Sequence, residues 1–328
     1  MAAIETKGRW TDLIDGVGLD IAEVFDQGQE EYRPGLDKVF RLTTGTGGQQ
    51  NVTGKTGVGE LARFNEGDNI PGGNRYKTYT TQIAWNDYGK YVDVTKQSIE
   101  DRNYSADLDE MKDLSIGANY SQDKSAVQIL VGGFANTGTA DVNGYRITYY
   151  GDGEQLFSTV HPTVVPGAST QSNASASGIT FIHDNLETAH VALIEQKTDD
   201  GLALQLLGKP MVGLPPALKK EGLEITESQL DPSTAQNAIN VYKNGMGTDM
   251  FMSVHLASTN SGSDTQWHLI IPQRAKLEHI VRQEPRLEKD VNIKNKVVTF
   301  TVDARWADAV KDWRRTWASR GDGAAYSS

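Results

Sequence analysis

The chain has 328 residues, 38% of them hydrophobic, with no cysteine and a net charge of −11. Without cysteine there is no disulfide, thiol nucleophile or cysteine-ligated metal, and an acidic balance disfavours general nucleic-acid binding, which needs Lys and Arg at the phosphates. No run approaches the roughly 18 apolar residues of a membrane helix, and the opening MAAIETKGRWTD lacks the apolar region of a secretory signal. Charge is unevenly spread: residues 1–271 carry 20 Lys/Arg against 35 Asp/Glu, whereas 272–328 carry 12 against 8. The length suits one large domain or two modest ones.

Residues 1–58 read as an arm. WTDLIDGVGLDIAEVFDQGQEEY has room for one or two short helical turns, and the Gly/Thr/Gln-rich remainder cannot bury a core of its own. Within it, GTGGQQNVTGKTG at 45–57 ends in Gly-Lys-Thr, as a phosphate-binding loop does. The spacing fails, because five residues rather than four separate Gly48 from Gly54. No helical period follows to supply the N-terminus that holds the anion. A flexible glycine-rich segment is expected instead.

Residues 59–95 read as a long two-stranded loop whose tip is Asn69-Ile70-Pro71-Gly72-Gly73-Asn74. RYKTYTTQIAW then alternates, with Lys77, Tyr79, Thr81, Ile83 and Trp85 on one face, and YGKYVDVT gives a second extended piece. That face is too polar for a core strand, and a polar hairpin with unpaired edges makes sense where another copy covers it. Residues 105–131 are the longest helical candidate, about 40 Å long at roughly 1.5 Å per residue. Ser105 is the cap. Leu108, Met111, Leu114 and Ala118 share one apolar face, and Gly132-Gly133 is the stop.

Residues 134–275 mix short helices and strands. TFIHDNLETAHVALIEQK predicts a helix with Leu186, Ala189, Leu193 and Ile194 inward and Asp200-Gly201 as its stop. LQLLGKPMVGLPPALKKEGLEI predicts a strand, then a short helix opened by Pro215-Pro216. WHLIIP at 267–272 is a buried strand, and GASTQSNASASG and SVHLASTNSGSD are polar loops. Residues 276–306 predict a hairpin in which Val298, Phe300, Val302, Ala304 and Trp306 alternate onto one face.

No catalytic constellation stands out, so no enzyme activity and no cofactor is expected. His183, Glu187 and His190 share a helix face and have the ligand types of a zinc or iron site, which leaves a metal-dependent hydrolase as the alternative of a different class. An exposed polar face explains the same spacing. His161-Pro162 falls in a loop, Asp199-Asp200 beside Gly201 reads as a turn, and no Gly-x-Ser-x-Gly elbow is present.

Several motifs recur in a recognisable order. FNEGDNIPGGNRYKTYTTQIAWNDYGKYVDVTKQSIEDRNY at 64–104 contains Glu66-Gly67 and then Thr95 to Asp101 ahead of the long helix. Leu156-Phe157-Ser158 with His161-Pro162, Leu186-Glu187 with Asp199-Asp200-Gly201, Leu214 to Leu218, Trp267 to Pro272 and Asp312-Trp313-Arg314 follow. Over about residues 30–322 this order resembles the major capsid proteins of tailed double-stranded-DNA bacteriophages, which have the Hong Kong 97-type fold.

The resemblance implies an α+β fold with an N-terminal arm at 1–58 and an extended β-hairpin loop at 59–95. It implies a peripheral domain at 96–135 and 276–306 carrying the long spine helix, and an axial domain at 136–275 and 307–328. The implied function is a virion shell subunit that self-assembles into pentamers and hexamers around double-stranded DNA. An encapsulin-like shell protein shares the fold and is the near alternative. The implied contacts to neighbouring copies are Glu66, Gly67, Ile70, Pro71, Arg75, Lys77, Tyr79 and Trp85 of the extended loop. Implied partners are further copies of itself, a scaffolding protein, a head-maturation protease, a portal, a decoration protein and weakly held DNA, with no membrane. The implied location is the virion capsid, and the host cytoplasm during assembly.

Overall fold

The computed structural model describes residues 21–32, 35–100, 105–204, 208–230, 239–243, 248–272, 274–292 and 296–326. In chain order the elements are α1 (21–31), β1 (Arg41–Thr44), β2 (Gln49–Lys55), β3 (Lys77–Ala84), β4 (Asn86–Thr95), α2 (Lys96–Glu100) and α3 (Ser105–Val131). β5 (Thr139–Val142), β6 (Tyr145–Thr148), α4 (His183–Ile194), β7 (Met211–Leu214) and α5 (Lys219–Glu227) follow. β8 (Asp249–Met252), β9 (Trp267–Ile270), β10 (Lys276–Asn292), β11 (Val297–Asp312) and β12 (Thr316–Ser319) complete the chain. Among the described residues no helix is long and apolar enough to cross a membrane. The mixture is α+β, as expected.

The chain divides into two compact units. The first comprises Met1–Gly35, Trp85–Lys124 and Val281–Trp306. Here β4 runs antiparallel to β11, from Val297 opposite Thr95 to Trp306 opposite Asn86. Val298, Phe300 and Val302 alternate inward with Val94 and meet Met111 and Leu114 of α3. Ile21 and Phe25 of α1 complete that core. α1 is held by polar contacts as well: the Ser115 hydroxyl donates to the Phe25 carbonyl (2.7 Å), and Asn119 Nδ2 donates to the carbonyls of Gln29 (3.2 Å) and Tyr32 (2.7 Å). The expected cap at Ser105 lies outside the described side chains.

The second unit comprises Leu36–Ala84, Ser125–Ile280 and Ala307–Ser328. Its strands follow the order β1-β10-β11-β6-β5, around a core of Val127, Ile129, Leu130, Phe157, Val310 and Trp313. The β5–β6 turn is Asn143-Gly144, both at positive φ (50° and 86°), the two-residue hairpin turn whose twist matches its strands. A second sheet, β12-β9-β7-β8, is covered by α4 and α5 through Leu186, Leu193, Leu214, Ile225, Trp267 and Trp317. All four residues of β9 are buried, as the run WHLIIP predicts.

Several expectations are corrected. The 45–57 stretch is not a flexible segment, because 49–55 forms β2, antiparallel to β3. Its half-buried positions are Gln50 and Val52, so the apolar alternation that would announce a strand is absent. β3 and β4 exist as expected but do not pair with each other; β3 joins β2 and β4 joins β11. The face that looked too polar for a core has Thr81, Ile83 and Trp85 buried at 2%, 0% and 7% exposure. Leu36, Val39 and Phe40, from the stretch that looked coreless, lie in the second unit's main core. α4 ends at Ile194, before Asp200-Gly201, and Ile194 is 44% exposed. At 100° per residue it stands well off the arc shared by Leu186, Ala189 and Leu193. β11 continues past Trp306 to Asp312.

Candidate assembly interface

The β2–β3 ladder runs from Gln49 opposite Ala84 to Thr53 opposite Thr80, then shifts so that Lys55 faces Lys77. Gly54 sits at the shift and its N–H donates to Thr78 Oγ1 (2.8 Å). Beyond the ladder, Thr56 N–H donates to the Tyr76 carbonyl (2.9 Å), and Tyr76 N–H returns to Thr56 Oγ1 (3.0 Å). These bonds close the neck of a loop. Further out the two legs approach so closely that a Cβ on Gly73 would lie 2.8 Å from both Val58 Cβ and the Val58 carbonyl; only glycine fits.

The turn is at Asn65–Asp68 rather than at 69–74. Asp68 Oδ2 accepts from Asn65 N–H (3.2 Å) and Nδ2 (3.1 Å), and Asp68 N–H donates to the Asn65 carbonyl (3.1 Å). Turn composition alone favoured Pro71-Gly72-Gly73, but Gly73 is needed for the leg contact instead. Residues 60–75 are exposed throughout. Leu61 is 98%, Ile70 75% and Phe64 51% exposed. A run of apolar side chains on a segment with no core of its own marks a contact surface.

Of the expected contact residues, Glu66, Gly67, Ile70, Pro71 and Arg75 lie on this exposed loop, and Lys77 opens β3 in the open. Tyr79 is half-buried and meets Tyr150 edge-on (6.0 Å between centroids). Trp85 is buried, with the Arg282 guanidinium 6.0 Å above its ring.

At the base of the loop lies a charged cleft of about 390 Å³. Arg41, Lys55, Lys276, Lys311, Arg314 and Arg315 line it, against Asp199, Glu278 and Asp312. Buried Arg314 organises one wall: Nη2 reaches Asp199 (2.8 Å), Nη1 reaches Asp312 (3.3 Å) and Nε donates to the Lys197 carbonyl (2.8 Å). Arg315 also bonds Asp312 (3.1 Å), and Lys311 pairs with Glu278. Arg41 and Lys55 have no side-chain partner among the described residues. Burial raises the Tyr150 phenol, as do the nearby Asp312, Asp199 and Asp152 charges, while Arg314 opposes the shift. Sequence reasoning missed this cleft because its members come from segments far apart in the chain.

Other polar clusters are inward-facing. His161 is buried with Nδ1 on Asp152 (2.8 Å) and Nε2 on Asn173 Oδ1 (3.0 Å), and it stacks on Trp313 at 4.0 Å. Both ring nitrogens are thereby engaged inside the protein. His279 Nδ1 meets Asp308 Oδ1 (2.7 Å), and the Ser125 hydroxyl donates to the other oxygen of Asp308. The serine bonds the carboxylate rather than the imidazole, which is not the geometry of a nucleophile with its base. His183 packs edge-on against Tyr242 (4.9 Å), Glu187 points to solvent, and His190 is half-buried, with its pKa lowered by burial. Among the described residues no group of three His, Asp or Glu side chains is arranged to hold a metal ion, so the hydrolase alternative has no metal set.

The family model described as "Phage capsid protein" matches residues 78–319. No curated protein is significantly similar. Among solved structures, the procapsid of bacteriophage JBD30 is similar at 13% identity, over 94% of this chain and 75% of that one, with a TM-score of 0.50. The capsid of an empty GTA particle matches at 12% identity, over 89% of this chain and 90% of that one (TM-score 0.52). The capsid of cyanophage P-SCSP1u matches at 10% identity, over 88% of each chain (TM-score 0.52).

Proposed function

Since the chain belongs to the phage capsid protein family, we propose that its subunits close into pentamers and hexamers of an icosahedral shell around double-stranded DNA. That the chain is a major capsid protein of the virion, with the Hong Kong 97-type fold, is the premise. Self-assembly is the function, and the family role is structural rather than enzymatic. The single observation that supports a contact role for the loop is its run of exposed apolar residues, Leu61, Phe64 and Ile70, between closed legs.

The finer reading follows the same premise. Glu66, Gly67, Ile70, Pro71, Arg75 and Lys77 touch the neighbouring copy, while Tyr79 and Trp85 root the strand from which the loop springs. Residues 96–135 and 276–306 form the peripheral domain, and 136–275 and 307–328 the axial domain. Assembly in the host cytoplasm involves a scaffolding protein, a maturation protease and a portal, with a decoration protein added and DNA held weakly. Repeated contacts between identical chains give closed symmetric assemblies.

Deleting Ile70 to Asn74 tests the loop. The subunit is expected to keep its urea midpoint, because the deleted side chains are exposed, and to lose shell formation in sedimentation. Normal shells from the deletion would overturn the contact role.

A further inference from the structure

The loop and the cleft at its base carry opposite charge. Between Val58 and Gly73 the loop holds Glu60, Glu66 and Asp68 against Arg63 alone. The cleft holds six basic residues against three acids. Ion pairs inside the cleft occupy all three acids: Glu278 goes to Lys311, Asp199 to Arg314, and Asp312 to Arg314, Arg315 and Lys276. Arg41 and Lys55 remain without a partner, and Lys55 faces Lys77 across the ladder. Two cations opposed across strands repel each other, and an anion placed beside them removes that cost.

Among the described residues no carboxylate pairs with Arg41 or Lys55. Glu60 and Glu66 are exposed and have no partner among the described residues. Among the described residues of one copy, these acids and these cations are therefore all unpaired. We propose that the cleft of one subunit is the socket for the acidic loop of the next, with Glu60 and Glu66 meeting Arg41 and Lys55. The proposal rests on the reading that the loop contacts a neighbouring copy, and it names the surface that receives it. Two different patches meeting head to tail form a heterologous interface, which closes into a ring when the rotation between copies allows it. Charge complementarity also fixes register and excludes loop-on-loop pairing, where like charges would meet.

The absence of cysteine makes the test direct. The variant Glu66→Cys with Arg41→Cys, assembled and mildly oxidised, is expected to give a ladder of linked chains on a denaturing gel. Glu66→Cys with Glu187→Cys, which is exposed on α4 and outside the cleft, is expected to give none. Intact shells without a ladder would overturn the socket, as would a bond formed within a single chain. Either result leaves the loop's contact role to be judged by the Ile70–Asn74 deletion, so the two readings fail separately. Should the cysteine variants not assemble, charge reversal decides. Glu60→Lys with Glu66→Lys is expected to lower shell yield by about tenfold or more, and adding Arg41→Glu with Lys55→Glu is expected to restore it. Failure of the second pair to restore shells would overturn the proposal.

Discussion

Arg314 holds a buried charge answered by two carboxylates and a carbonyl, and its guanidinium carbon lies 4.6 Å from the centre of the Trp313 ring. Removing the cation leaves Asp199 and Asp312, each nearly buried, without their fork. Arg314→Ala is therefore expected to cost about 3–5 kcal/mol, read from the urea midpoint. Arg314→Lys should recover only part of this, because an ammonium cannot make the forked contact. His268 gives a second residue-scale expectation. It is fully buried, and Gln266 Nε2 lies 2.9 Å from its Nε2. Burial moves the imidazole from its ordinary value of 6.5 down to about 4, against weaker opposing backbone contacts. The folded pKa is depressed, so below the ordinary value the unfolded chain binds a proton that the folded one does not. Stability is expected to fall by about 3 kcal/mol as pH drops through that window, and to change little from this group above it. Urea midpoints at about pH 7 and about pH 4.5 should differ less in His268→Gln than in the parent. Equal pH slopes would contradict the assignment.

Among the elements, α1 depends on α3 for more than apolar contact. Asn119 Nδ2 donates to two carbonyls at and just beyond the end of α1, where a helix runs out of its own donors. Asn119→Asp keeps the shape and loses both donors. It is expected to destabilise by about 1–3 kcal/mol and to speed hydrogen exchange in α1 first. How legible each element is in the sequence follows from what its inward face is made of. α3 and β11 are readable because Met111, Leu114, Val298, Phe300 and Trp306 repeat at helical or strand spacing. β2 is not, because Gln50 and Val52 turn inward together. The β5–β6 hairpin announced itself through Asn143-Gly144, a turn signal the chain-order reading passed over. The exposed loop was legible from its polarity, but its turn was displaced, since composition cannot tell a turn glycine from one required by leg-to-leg contact. The cleft was not legible at all: Arg41, Lys55 and Arg315 come together only once β1, β2 and the segment after β11 are placed.

At the scale of the whole molecule, the acidic balance and the basic stretch at 272–328 acquire a local meaning. Of the six basic residues of the cleft, four come from that stretch: Lys276, Lys311, Arg314 and Arg315. Part of the C-terminal charge is thus spent on ion pairs inside the protein rather than offered to nucleic acid. Exposed apolar residues on the loop, and the cations at its base that pair with no described residue, both fit the proposal of a chain completed by its own copies. The most direct test is electron microscopy of the purified chain, expressed alone and with a head scaffold. The account predicts closed shells or uniform five- and six-membered rings in at least one of these preparations. Persistent monomers in both would contradict it.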